Sequence, residues 1–414
     1  MVNLCKSSLS TIAVDVQVTD EIAKVLDCKV AVFPFTYLGL PLSSKALPKA
    51  SLHSMVDSVA KKLPACHGPL MTRSGRLVWI KSVLMAMPVF AMISYKLPAW
   101  VREEIDAICR KFLWAGTDGS VRGKCLVSWP IVTRPTEHGG LGVPDLRLTS
   151  IALQTRWLWL QRTDENRVWS GLPIQVASEV RAFFAASIFI QVGNGRRTLF
   201  WRAARRGGLT VQVIAEYINL WDRLEGFQLQ PEVEDRVVWR WAENGVYCTR
   251  SAYRALHLGS QVFPEYQLIW QSWLPLRVKI FLWLASRQRI WTGDRRRRHG
   301  LDARELCWLC NLETETCDHI RFKCQFSMQL WSLVLMRDQV QLPSSDACSG
   351  LLDWWKRFRI AWPALMRKGA DTLFGLGCWI VWKERNRCCF SVRETADLWI
   401  IGGARNLALL HAGR

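Results

Sequence analysis

Apolar residues at helical spacing dominate the middle of the chain. Val101, Ile105, Ile108 and Phe112 follow one another at intervals of three and four, which places all four on one face of an α-helix. The segment from Arg147 to Arg162 repeats this spacing. The pattern predicts amphipathic helices that each bury one apolar stripe.

A longer apolar stretch runs from Ser82 to Tyr95, and Pro88 interrupts it. Lys81 and Lys96 flank the stretch, and it is shorter than the roughly 20 residues that a membrane-spanning helix requires. We therefore predict a core helix with a kink at the proline, and no membrane partner.

Alternating positions replace the helical spacing further along the chain. Val237, Trp239 and Trp241 alternate with other residues before Asn244-Gly245, a dipeptide typical of a type I′ turn. This predicts a β-hairpin, followed by a helix whose N-terminus is capped by Ser251. The elements together indicate a mainly α fold of the α+β class.

The candidate chemistry is a set of cysteines and one histidine. Cys307, Cys310, His319 and Cys324 have the spacing C-x2-C-x8-H-x4-C, which brings three thiolates and one imidazole to one point. Such a closed set suits a structural Zn²⁺, whereas a catalytic site would keep one position open for water. Cys317 could replace His319 as the third ligand, and the cysteines could also be ordinary buried apolar residues.

Composition indicates a folded and strongly basic protein. The 414 residues are 50% hydrophobic and include 23 tryptophans, and the formal net charge is +20. A chain of this length buries sizeable cores, and its charge favours a polyanionic partner, RNA or DNA first. No signal peptide opens the sequence, so we expect an intracellular protein, nuclear or cytoplasmic, with reduced thiols.

A basic segment precedes the predicted metal ligands. Its candidate nucleic-acid contacts are Lys279, Arg287, Arg289, Arg295, Arg296, Arg297 and Arg298. Clustered guanidinium groups bind phosphates, and the interleaved Trp283 and Trp291 could stack on unpaired bases. Equally, the arginines could be a solvated run and the tryptophans could belong to the core.

Several short motifs occur together in a fixed order. They are Asn3-Leu4-Cys5-Lys6-Ser7, Tyr37 to Leu42, Ser74-Gly75-Arg76, Ile80 to Pro88, Gly139 to Gly142, Gly193-Asn194-Gly195 with Phe200-Trp201, Gly245-Val246-Tyr247 with Ser251 to Tyr253, and Pro275 to Trp283. With the metal ligands, this series resembles the reverse transcriptases of plant non-LTR retrotransposons and their zinc-binding C-terminal region. The resemblance covers residues 1 to 340.

The resemblance implies a division of the chain into five segments. These are a palm remnant at 1–48, a thumb-like helical domain at 49–135, a helical connector at 136–235, the reverse-transcriptase zinc-binding domain at 236–340 and a C-terminal helical segment at 341–414. In that family a pair of adjacent aspartates holds the catalytic metal ions. No Asp-Asp dipeptide occurs in this chain, so we expect the palm to be mostly absent and the protein not to be an enzyme.

We therefore expect a nucleic-acid-binding, zinc-binding fragment of a retrotransposon-type reverse transcriptase, with no catalytic residues and no small-molecule substrate. One alternative is a protein-interaction scaffold in which zinc only stabilises helices. Another is a nonfunctional relic of a decayed element.

Overall fold

A computed structural model describes residues 7–45, 47–64, 71–116, 125–164, 166–196, 228–336 and 348–401, together with isolated positions at 215–226 and 340–344; side chains are described as far as Cys389. Residues 3–6 of the N-x-x-K-S motif, and Phe200-Trp201, lie outside these described residues.

Helices account for most of the described secondary structure. They are α1 (Val16–Val25), α2 (Lys49–Lys61), α3 (Arg73–Trp79), α4 (Met87–Ser94), α5 (Ala99–Ala115), α6 (Trp129–Val132), α7 (Leu146–Thr163), α8 (Ser178–Ser187), α9 (Thr249–Ala255), α10 (Tyr266–Trp270), α11 (Leu276–Ser286), α12 (Gly293–Arg298), α13 (Gln325–Met336), α14 (Leu351–Ile360) and α15 (Arg367–Ile401). Single π-helical turns occur at Ile80–Leu84 and His319–Lys323, and 3₁₀ turns at Thr136–His138 and Ala364–Met366.

The described strands are short and form two-stranded sheets. β1 (Ser8–Leu9) pairs in parallel with β2 (Lys29–Val30), β3 (Phe35–Tyr37) pairs with β4 (Leu40–Leu42), and β5 (Ile188–Gln191) pairs with β6 (Arg236–Trp239). The last two pairs are antiparallel. The predicted mainly α fold is confirmed.

The chain forms two compact units that are each built from separate segments. Unit 1 comprises residues 1–59, 85–105 and 144–260, and unit 2 comprises residues 60–84, 106–143 and 261–414. The five-segment division predicted from the sequence stays a prediction.

Unit 1 is organised around α7, which packs against α4, α8 and α9. Trp159 of this helix is buried, and its ring meets the fully buried Trp239 of β6 edge to face at 6.2 Å. The indole nitrogen of Trp239 donates to Ser251 Oγ at 2.9 Å. Aromatic rings thus form much of this core, and the buried indole N–H of Trp239 has a hydrogen-bond partner.

The predicted β-hairpin at 237–249 is wrong. Strand β6 pairs with β5, with Ile188 opposite Trp239, and across the following turn the Trp239 N–H donates to Gly245 O at 2.8 Å. No second strand follows because α9 begins at once: Cys248 is its N-cap, and its sulfur accepts a hydrogen bond from the Ser251 N–H. The predicted cap at Ser251 is therefore also wrong by three residues.

The apolar stretch around Pro88 is interrupted, as predicted, but by two features. Helix α3 ends where the π-helical turn Ile80–Leu84 begins. Pro88 lies in the first turn of α4, where its missing N–H costs no helical hydrogen bond. By length and composition alone, the 22 residues Arg73–Ser94 could cross a membrane, and 39% of an apolar 18-residue stretch within them is buried. Core helices of soluble proteins meet the same criterion, so this is weak evidence for a membrane span.

Unit 2 has a core of aromatic rings between α13, α14 and α15. The buried Trp331 meets Trp354 at 5.3 Å, Phe358 at 5.6 Å and Phe374 at 5.6 Å. Trp355 stacks on Phe374 at 4.6 Å, and its indole N–H is bound by the carboxylate of Asp371 at 2.9 Å. Helix α15 also packs against α11 and the π-helical turn at His319–Lys323. It therefore forms one wall around the candidate metal ligands Cys307 and Cys324.

Candidate metal centre

A tight turn presents the first two cysteines. Leu306 and Thr314 form an antiparallel bridge, and the Cys307 N–H donates to Glu313 O at 2.8 Å. At the turn, the Asn311 N–H returns to Cys307 O at 2.9 Å, and Asn311 adopts a positive φ of 60°. The chain thereby reverses within a few residues, and the sulfurs of Cys307 and Cys310 come to lie on the same side.

A π-helical turn supplies the remaining two ligand residues. The backbone N–H of His319 donates to Thr316 Oγ1 at 3.1 Å, which starts the turn. The Cys324 N–H donates to His319 O at 2.7 Å, a five-residue step. This wider turn places Cys324 immediately before α13 and on the same side as the imidazole.

The four predicted ligand residues come together at one point. Their ligand atoms all lie within 4.8 Å of one another. Cys307 Sγ lies 3.9 Å from Cys324 Sγ, and Cys310 Sγ lies 3.3 Å from His319 Nε2. Two sulfurs each about 2.3 Å from a tetrahedral Zn²⁺ would lie about 3.8 Å apart, so the spacing suits zinc.

The donor set and its surroundings suit a structural ion. Cys307, His319 and Cys324 are buried and Cys310 is half-buried. The fully buried Ile320 and Val381 pack beside the cysteines. Three thiolates and an imidazole already complete a tetrahedron. Their arrangement supports a structural rather than a catalytic role, although that zinc is the ion stays a prediction.

Glu313 orients the histidine, and no feature of the sequence motif indicated it. His319 Nδ1 lies 3.0 Å from Glu313 Oε2, while Nε2 faces Cys310. A carboxylate on the far nitrogen fixes the imidazole tautomer that leaves Nε2 available as a metal ligand. Glu313 lies between the two ligand pairs in sequence, but Glu315 and Asp318 lie there too, so the sequence does not indicate which carboxylate contacts the imidazole.

Hydrogen bonding and burial shift the pKa values of three of the four ligand residues. The hydrogen bond shared with Cys324, followed by burial, raises the pKa of Cys307 to about 12. The same hydrogen bond lowers the pKa of Cys324. Burial alone lowers the pKa of His319, but hydrogen bonds to Cys307 and Cys310 outweigh it and raise that pKa to about 9. Cation binding would displace these protons.

Cys317, the alternative third ligand, lies outside this group. Its sulfur faces Ala285 O at 3.6 Å and accepts a hydrogen bond from the guanidinium of Arg321. Burial is the main reason that the pKa of Cys317 rises to about 11. The structure therefore groups His319, and not Cys317, with the other three cysteines.

Three of the seven candidate nucleic-acid contacts are used inside the protein. Lys279 donates to Trp270 O at 2.8 Å. Arg287 donates to Gly139 O and lies over the ring of Trp283 at 5.3 Å. Arg295 is buried, with its guanidinium carbon 4.8 Å from the centre of the Trp291 ring. Lys279 and Arg287 thus donate to the protein's own backbone, and burial limits the access of Arg295 to phosphates.

The other four arginines are more accessible. Arg289 and Arg298 are exposed, and Arg296 and Arg297 are half-buried. Arg298 pairs with Asp294 at 2.6 Å, one helical turn earlier, and Arg297 lies 3.6 Å from Glu305. Exposed ion pairs of this kind are weak, so these guanidinium groups can exchange a carboxylate for a phosphate.

Trp283 belongs to the core and not to a base-stacking surface. It is fully buried, and its indole nitrogen donates to Gly139 O at 2.9 Å. Gly139 is the first residue of the motif Gly139 to Gly142, and it has a positive φ of 78°. A Cβ on Gly140 would lie 1.9 Å from Arg134 O, so only glycine fits there. Base stacking by Trp283 is thus contradicted by its burial.

The candidate metal ligands lie in a part of the chain that is similar to a known protein family. Residues 247–331 match the family model described as zinc-binding in reverse transcriptase, and all four ligand residues lie within the match. A protein of Arabidopsis thaliana named "Putative ribonuclease H protein" is 24% identical over 365 residues. The alignment covers 73% of this chain, and the chain spans 58% of the length of that relative.

Proposed function

Because the chain carries a reverse-transcriptase zinc-binding region at residues 247–331, we propose that it is a zinc-dependent nucleic-acid-binding part of a retrotransposon-type reverse transcriptase. The observation that carries the proposal is the Cys307, Cys310, His319 and Cys324 group, which lies inside the matched region. In this proposal Zn²⁺ is structural and holds the region in a shape that binds RNA or DNA.

Electrostatics supplies the main attraction in this proposal. The formal charge of +20 favours binding to a polyanion. Binding also releases the counterions that are condensed on the nucleic acid. The exposed Arg289 and Arg298 lie shortly before the metal ligands. They make phosphate contacts, whereas Lys279, Arg287 and Arg295 support the fold.

We also propose that the chain alone does not polymerise nucleotides. Two-metal nucleotidyl transfer needs closely spaced carboxylates, and no two aspartates are adjacent in the sequence. A primer-extension assay with purified protein, primed RNA template, deoxynucleotides and Mg²⁺ should give no product. Extension by the protein would refute this part of the proposal.

Salt-dependent binding tests the nucleic-acid proposal. Fluorescence anisotropy with a labelled 20-nucleotide single-stranded RNA should show an affinity that falls steeply between about 50 and 200 mM salt. Arg289→Glu with Arg298→Glu should weaken binding at least tenfold and flatten the salt dependence. The matched control reverses the exposed Arg162 and Arg254 of unit 1, which changes the net charge equally and should weaken binding less.

A second candidate function is a protein-interaction scaffold with a structural zinc ion. Its specific support is the internal use of Lys279, Arg287 and Arg295, which removes three cations from the proposed phosphate surface. Under this alternative, the zinc-loaded protein would not bind RNA or DNA even at 50 mM salt, and both double charge reversals would have no effect on binding.

A further inference from the structure

A partly exposed aromatic side chain lies between the first two metal ligands. Trp308 is half-buried, whereas the preceding Cys307 is fully buried. Its backbone N–H points to Glu315 Oε2 at 3.5 Å, and this carboxylate is completely buried. The backbone at Trp308 is therefore held by its neighbour Cys307 and by the buried Glu315, and its half-buried indole ring lies beside the metal turn.

A cation accompanies this ring on the protein surface. The guanidinium carbon of Arg304 lies 5.2 Å from the centre of the Trp308 ring. Arg304 is exposed, and it also donates a hydrogen bond to the side-chain oxygen of Asn311 at the tip of the turn. Leu306 and Leu312, at 36% and 60% exposure, leave further apolar surface on the same turn.

We infer that Trp308 and Arg304 form a binding site for an unpaired nucleotide of a single-stranded nucleic acid. The indole ring stacks on the base, and the guanidinium group contacts the adjoining phosphate. An aromatic ring beside a guanidinium matches the two parts of a nucleotide, a flat base and an anion. A base pair inside a duplex does not offer its face, so the site selects single strands.

The charge of the chain favours this occupant over an apolar peptide. The net charge is +20, and the exposed cation lies directly over the ring. An apolar segment of a partner protein would gain nothing from Arg304, whereas a phosphodiester gains a charge-assisted hydrogen bond. This inference rests on the proposed nucleic-acid binding and adds the base contact to it.

The test combines affinity with the salt dependence of binding. The full chain, loaded with zinc, is titrated into a labelled 20-nucleotide single-stranded RNA and into the corresponding duplex. Trp308→Ala should weaken single-strand binding about tenfold, because one stacked base is lost, and leave the salt slope unchanged. Trp308→Phe should retain most of the affinity. Arg304→Gln should make the slope of log affinity against log salt concentration shallower by about one, because one phosphate contact is lost.

Leu312→Ala is the matched control, since it removes exposed apolar surface from the same turn without removing an aromatic ring. It should leave the dissociation constant for single strands within about twofold, and neither Leu312→Ala nor Trp308→Ala should alter duplex binding. Equal affinities of Trp308→Ala and the wild type for single strands would overturn the inference while leaving the proposed function intact. Absence of any binding by the wild type would overturn both.

Zinc content is measured for each variant, so that loss of the fold is recognised. If Trp308→Ala loses its zinc, Arg304→Gln decides, because this exposed side chain supplies no ligand. An unchanged affinity and salt slope for Arg304→Gln would then refute the site. A lower slope, with zinc retained, would support it.

Discussion

Glu315 and Arg385 form a completely buried ion pair that joins the metal turn to helix α15. Arg385 Nε lies 3.1 Å from both carboxylate oxygens, and the two side chains are 0% and 3% exposed. The same carboxylate accepts a hydrogen bond from Gly293 N at 2.7 Å at the start of α12. One acidic side chain thus connects three segments of unit 2, including the segment that presents Cys307.

Removing only the cation of this pair should be strongly destabilising. Arg385→Ala leaves the Glu315 carboxylate buried without its charged partner, which typically costs about 3–5 kcal/mol. Urea unfolding followed by circular dichroism should show a clearly lower midpoint. The control is Arg387→Ala on the same helix, since Arg387 forms an exposed pair with Glu384. Equal midpoints for the two variants would contradict a structural role for the buried pair.

Close packing of α15 explains why Gly377 has no side chain. It also predicts that alanine at Gly377 and alanine at Gly369 change stability in opposite directions. A Cβ on Gly377 would lie 2.3 Å from the ring of the buried Trp331, whereas a Cβ on Gly369 meets nothing within 4 Å. Gly377→Ala should destabilise the protein by about 1–3 kcal/mol because the ring cannot move freely. Gly369→Ala should stabilise it by up to about 1 kcal/mol through helix propensity. Thermal unfolding of both variants measures the difference, and stabilisation by both would refute this packing.

Zinc binding should release protons, and the affinity should therefore rise with pH. Hydrogen bonding to Cys324 and burial raise the pKa of Cys307 to about 12, and hydrogen bonds to Cys307 and Cys310 raise the pKa of His319 to about 9, so we expect both groups to carry protons near pH 7 before the ion binds. Zinc must displace both protons, so its apparent affinity should increase about a hundredfold per pH unit in this range. An indicator dye in weakly buffered solution counts the protons released per zinc. Release of fewer than two protons per zinc would contradict the proposed ligand states.

The ligand spacing was sufficient to predict that the four side chains come together, because short turns join them. Cys307 and Cys310 belong to one turn, and His319 and Cys324 to the next. The partner of β6 could not be predicted in the same way. Strand β5, at residues 188–191, lies far from β6 in sequence. The short alternating pattern of β6 does not specify which strand pairs with β6.

The basic segment shows a second limit of reasoning from sequence. Seven cations before the ligands look equivalent in sequence, yet Arg295 is buried against Trp291 while Arg298 is exposed. Tertiary contacts determine this difference. Likewise, no motif connects Glu315 with Arg385, since the two residues are 70 positions apart. Long-range pairs of this kind become visible only in the fold.

Metal analysis of matched cysteine variants tests the central claim most directly. Purified wild-type protein, measured by inductively coupled plasma mass spectrometry, should contain about one zinc per chain. Cys310→Ser should lose the ion and unfold the ligand segment locally, because the tetrahedral set loses one thiolate. Cys317→Ser should retain the ion, since the sulfur of Cys317 faces Ala285 and Arg321. A folded wild-type protein without zinc, or equal zinc contents in the two variants, would contradict the account.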